Sequence, residues 1–167
     1  MSKKHFLALP VTGDTFAEVR EKNRYYVDKT PYLKAVFSED EAVDDKSLID
    51  GTTVLLLTRP RRFGKTLLMN MFESFLNINY EKPGDTTIHQ SYFKDTKIFE
   101  EQKFCKKYMG QFPVISITLK DVLGDDFESA YLKLAEVVSA KANEFSFLKE
   151  SPYLNEMEKA KFNLLCD

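Results

Sequence analysis

The chain has 167 residues, of which 43% are hydrophobic and 30% charged, the make-up of a globular domain with room for a core. A formal net charge of −2 excludes a protein that coats nucleic acid through its overall charge, so any anion must be held locally. No run nears the roughly 18 apolar residues of a membrane span, and the apolar part of "MSKKHFLALP" is too short for a signal peptide. Cys105 and Cys166 lack metal-ligand spacing, as in a reducing compartment. The expected location is therefore cytoplasmic, with no membrane partner.

In chain order, an extended start leads to a turn at Gly13 and Asp14 and a short helix carrying Phe16 and Val19. Tyr25 to Val27 suits a short strand. Thr30 followed by Pro31 opens a helix, with a hydroxyl for the cap and a proline at the first helical position. Ser38 to Lys46 is an acidic run without apolar period, which reads as a solvated loop. Thr52 to Thr58, "TTVLLLT", has the length and β-branched start of a strand buried on both faces. After Gly64, residues Leu67, Leu68, Met71, Phe72, Phe75 and Leu76 recur at helical spacing, a stripe expected to press onto a sheet.

Pro83 and Gly84 mark a turn, and the stretch from Tyr92 to Gly110 reads as short helical pieces on the surface. Phe112 to Leu119, "FPVISITL", is a second buried-type strand. A long helix follows, with Gly124 and Asp125 at its cap and Phe127, Tyr131, Leu134 and Val138 along one side. Ser151 and Pro152 open a last helix. Strands alternating with helices predict an α/β domain with a parallel sheet flanked by helices. Two strands are few for such a sheet, so the expectation is an incomplete sheet or one with short edge strands.

The segment Arg59-Pro60-Arg61-Arg62-Phe63-Gly64-Lys65-Thr66 matches the phosphate-loop pattern G-x-x-x-x-G-K-[ST], except that Arg59 replaces the first glycine. The chemistry needs a loop whose main-chain N–H groups converge and a helix whose unpaired amides face an anion. Gly64 would let the backbone approach the phosphate. Lys65, the candidate catalytic residue, would reach the β- and γ-phosphates, and Thr66 would place its hydroxyl on Mg²⁺. Phe63 and Leu67 complete the candidate nucleotide-binding set. Arg61 and Arg62 either add charge to it or point to solvent. Pro60 removes one N–H donor.

The stretches "RYYVDKTPYL", "TRPRRFGKTLLMNMFESFL", "FCKKYMGQFPVISITLKDV" and "DDFESAYLKL", in this order, resemble the AAA-ATPase-like domain of bacterial proteins, which often carry a restriction-endonuclease-like nuclease region. The likeness runs from about Leu9 to the end, and that family also has arginine where the first glycine usually sits. The resemblance implies a P-loop NTPase fold with ATP and Mg²⁺. It also makes residues 1–167 the N-terminal part of a single domain, ending before the acidic Mg²⁺-binding strand. Nucleic acid, through a linked nuclease region, and assembly into an oligomer are left open as partners. The run from Glu39 to Asp45 resembles an insertion, and no function is carried onto it.

Such an ATPase also needs an acid at the end of a second buried strand. Asp121 follows "VISITLK", but Lys120 interrupts the apolar run and Val122 stands where a second acid would. Hydrolysis is therefore expected only in a longer protein. Asp28, Lys29 and Thr30 form a polar cluster. The simpler reading is helix capping by Thr30 and surface charge; the functional one sets them near base or ribose. His5 and His89 are isolated and expected at the surface. Two rivals remain for the loop, a grip on nucleic-acid phosphates through Arg59, Arg61, Arg62 and Lys65, and a degenerate phosphate loop kept as an interaction scaffold.

Overall fold

The computed structural model describes residues 7–11, 13–37, 56–120 and 122–166, in two units, Met1–Val114 and Ile115–Asp167. The acidic run from Ser38 to Lys46, most of the Thr52 to Thr58 segment, Asp121 and His5 lie outside the described residues.

In the first unit, α1 (Phe16–Glu21) begins at a capping box. The Glu18 N–H donates to the Thr15 hydroxyl at 3.3 Å, and the Thr15 N–H donates to the Glu18 carboxylate at 2.9 Å, so two orphan donors are satisfied reciprocally. The Thr15 N–H, then Lys22, hold the Glu18 carboxyl at about 2. Two turns of chain later comes α2 (Tyr32–Val36), and after the loop comes α3 (Lys65–Leu76). Three short helices follow: α4 (Thr87–Phe93), α5 (Lys97–Glu100) and α6 (Gln102–Tyr108).

The stripe read along α3 is the face that packs. Leu68, Met71 and Phe75 are buried, and Leu67, Phe72 and Leu76 lie against the core. Its partners are α1 and α4 rather than a sheet. Phe75 meets the Phe93 ring edge-on at 5.1 Å, and Phe93 stands 4.9 Å from Phe16, spacings at which rings attract beyond their burial. The Arg20 guanidinium ties α1 to the end of α4 by donating to the carbonyls of Tyr92 and Lys94. The stretch after Tyr92 is not a surface feature. Phe93, Ile98, Phe104, Cys105, Tyr108 and Met109 are all buried and form much of the core.

The expected α/β architecture is not what the structure has. The described residues are helical and contain no strand. A parallel strand needs a neighbour to satisfy its N–H and C=O groups, and among the described residues "FPVISITL" finds one only at its start. There an isolated parallel bridge joins Phe112 to Asn77, with Phe112 N–H donating to Leu76 at 2.9 Å and Ile78 N–H to Phe112 at 2.8 Å. The Val114 N–H then donates to the Asn77 side chain at 3.1 Å, and pairing stops. Ile115, Ile117 and Leu119 are exposed. Of the first expected strand only residues 56–58 are described; they form no strand, and Leu56 is exposed. Tyr25 makes one main-chain bond, to Ala8 at 2.8 Å, and forms no strand.

The second unit holds α7 (Phe127–Glu144), a 3₁₀ turn (Ser146–Glu150) and α8 (Glu156–Cys166). Asp126, rather than Gly124 and Asp125, caps α7, in a reciprocal pair with Ser129. The last helix starts beyond Ser151 and Pro152, where Asn155 and Glu158 exchange side-chain-to-N–H bonds of 2.9 Å. α7 and α8 pack together, and the Cys166 carbonyl accepts from Ser139 at 2.9 Å and Asn143 at 2.8 Å. Among the described residues no helix is long and apolar enough to cross a membrane.

Candidate functional site

The basic loop lies between residue 58 and the first turn of α3 and is open to solvent. Gly64 caps that helix in the left-handed region, at φ 73° and ψ 31°, a conformation open to glycine without steric cost. Arg62 shares it, at φ 66°, which strains a residue with a Cβ. The turn this builds leaves its amides free. Among the described residues, the seven main-chain N–H groups from Arg61 to Leu67 have no hydrogen-bond partner; the first intrahelical bond is Leu68 to Gly64, at 2.9 Å. A helix start leaves its leading N–H groups unpaired, and this loop extends the row.

Lys65, first residue of α3, folds back across the loop. Its ammonium donates to the carbonyls of Arg59 at 2.6 Å and Pro60 at 3.2 Å, so the loop is closed into a ring. Lys29 comes from a separate segment and donates to the Phe63 carbonyl at 3.0 Å. Arg59 bonds its neighbour Thr58 at 3.2 Å and reaches the Tyr32 hydroxyl at 3.5 Å. The side chains of Arg61, Arg62 and Thr66 are exposed and without a partner among the described residues. None of Lys29, Arg59, Arg61, Arg62 and Lys65 forms an ion pair there. Five cationic side chains thus gather with no ion-paired carboxylate among the described residues. Phe63 is exposed and Leu67 faces the core, so of the two only Phe63 is free to meet a ligand.

The Asp28-Lys29-Thr30 cluster has a different role from the capping expected of it. The N-cap of α2 is Pro31, with no side-chain cap. Thr30 is fully buried, and its hydroxyl donates to Asp28 at 2.7 Å while accepting the Ile98 N–H at 3.2 Å. The second Asp28 oxygen accepts the Lys97 N–H at 2.8 Å. Together they cap α5, almost seventy residues away. For the Asp28 carboxyl, burial acts upward, but the N–H of Lys97 and the hydroxyl and N–H of Thr30 outweigh it and leave the group below its ordinary value. With both oxygens accepting bonds that hold α5, Asp28 has a structural role. Of the two readings of this cluster, surface charge and a place near base or ribose, Lys29 matches neither outright: its ammonium lies on the Phe63 carbonyl of the loop.

His89 is buried rather than at the surface. Its Nε2 donates to the Asn77 carbonyl at 2.7 Å, and Nδ1 has no partner among the described residues. Burial, then Glu101, push the Cys105 thiol up to about 11, and it donates to Ile98 at 3.1 Å, which makes it unreactive. A cavity of about 450 Å³ lies among residues of α4 to α6, lined by Gln90, Gln102 and Gln111 among others. It shares no residue with the loop. The side-chain amides of those glutamines each donate one bond, to Thr86, Phe99 and Met109. Among the described residues no cluster of three acidic, histidine or cysteine side chains could hold a metal ion.

The family model described as Predicted AAA-ATPase matches residues 10–166, and the chain belongs to that AAA-ATPase-like family. Membership carries the theme of nucleotide binding. Comparison with curated proteins and with solved structures gives no match.

Proposed function

We propose that the Arg59–Leu67 loop binds the phosphates of ATP together with Mg²⁺, as a variant phosphate loop. The observation that supports this most is the row of seven unpartnered N–H groups at the start of α3, closed by the Lys65 ammonium. Amides left free by the fold can take an anion without giving up bonds of their own. The residues present fit the group. The Lys65 ammonium has three donors and shares two with loop carbonyls, so it can turn from them to phosphate oxygens. The unpartnered Thr66 hydroxyl would hold Mg²⁺. That ion would neutralise phosphate charge when bound. Arg61 and Arg62 add positive potential.

The test is calorimetric titration of ATP–Mg²⁺ into the wild-type protein and the Lys65→Ala variant. Loss of at least about 1.5–3 kcal/mol of binding, the worth of a charged hydrogen bond, is expected on substitution. Equal binding by both proteins refutes the proposal. Arg59, Arg61 and Arg62, none of them in an ion pair among the described residues, favour one rival, a grip on nucleic-acid phosphates. That reading requires steeply salt-dependent binding of an oligonucleotide, displaced by ATP–Mg²⁺ if the loop is shared.

A further inference from the structure

We propose that Lys29 is a second phosphate-contacting residue, and that the loop selects di- and triphosphates over monophosphates through it. This rests on the phosphate-loop reading above. Lys29 and Lys65 grip the loop at different points. Lys65 holds the opening carbonyls of Arg59 and Pro60, and Lys29 holds the carbonyl of Phe63 at its middle. The Lys29 ammonium is close enough to the helix start that a Cβ on Gly64 would stand 3.0 Å from it. It spends one of three donors on Phe63 and has no carboxylate partner among the described residues.

Its backbone is immobilised more thoroughly than a surface lysine requires. The Lys29 N–H donates to the Tyr26 hydroxyl at 3.2 Å, and Asp28 and Thr30 on either side are fastened to α5. Two ammonium groups held at separate points of one loop, one before the row of free amides and one beside its Phe63–Gly64 step, match a chain of phosphates. A single phosphate meets only one of them.

The experiment compares full-length wild-type protein with Lys65→Ala, Lys29→Gln and Lys29→Arg, titrated with ATP, ADP, AMP and inorganic tripolyphosphate. Lys29→Gln should weaken ATP and tripolyphosphate by about tenfold or more and AMP by less than about twofold, with Lys29→Arg recovering part of the loss. A mere brace for the loop would weaken all four ligands alike, and that result overturns the proposal. If Lys65→Ala abolishes binding and Lys29→Gln leaves it unchanged, Lys29 is excluded while the loop reading stands. If the wild-type protein binds none of the four, the loop reading fails and this proposal with it. Should Lys29→Gln not fold, acetylation of the wild-type protein decides. Lys29 protected by tripolyphosphate supports the proposal, and equal labelling with and without it refutes it.

Discussion

Helix α3 buries Leu68, Met71 and Phe75 against α1 and α4, whereas α7, 18 residues against 12, buries none and leaves Phe127 and Tyr131 exposed. Both helices carry an apolar stripe at helical spacing. The difference lies in their partners. Around α3, short helices bring Phe16, Phe93 and Phe104 to the same point; α7 has α8, whose one buried residue is Cys166. Spacing says which face of a helix is apolar, but only neighbours decide how much of it leaves water. The candidate loop belongs to the well-packed helix, which gives its amides a fixed base.

The contrast is broken most directly at Phe75. Phe75→Ala should destabilise the first unit by about 3–5 kcal/mol, read by urea unfolding, while Phe127→Ala, at a site 81% exposed, should change stability by about 0.5 kcal/mol or less. Similar losses from both would mean that α7 is covered in solution. Thr30→Val should cost about 1–3 kcal/mol by leaving the buried Ile98 N–H unsatisfied, with faster hydrogen exchange in α5 as its local sign. Gly64→Ala should cost about 1–2 kcal/mol for the left-handed backbone. It should also weaken ATP binding, since the new methyl displaces the Lys29 ammonium.

The smallest effect concerns acid. Because the Asp28 carboxyl sits below its ordinary 3.8 in the folded protein, the unfolded chain takes up the proton first as pH falls. The stability it contributes is therefore complete above that ordinary value and lost as pH drops through the folded one. Asp28→Asn should flatten this part of the stability–pH curve, and an unchanged curve would show that Asp28 is not tied to α5.

The sequence made the loop legible because its chemistry is local: a glycine, a lysine and a threonine in fixed spacing before an amphipathic helix. It made α1 and α3 legible for the same reason. It misled over the strands because a run such as Val114 to Leu119 has the composition of a strand whether or not another chain segment pairs with it. The short helices after Tyr92 were read as surface because each alone is too brief to show a stripe, yet Phe93, Ile98 and Phe104 converge only in three dimensions. Thr30 and His89 escaped because their partners, Ile98 and Asn77, are set by tertiary folding.

The alternation at Asp28, Lys29 and Thr30 makes this segment a matter of parity. Its outer pair turns to α5 and its middle residue to the loop. Inserting a single residue just before it would shift those assignments by one, sending an ammonium toward the amides of α5 and a carboxylate toward the cationic loop.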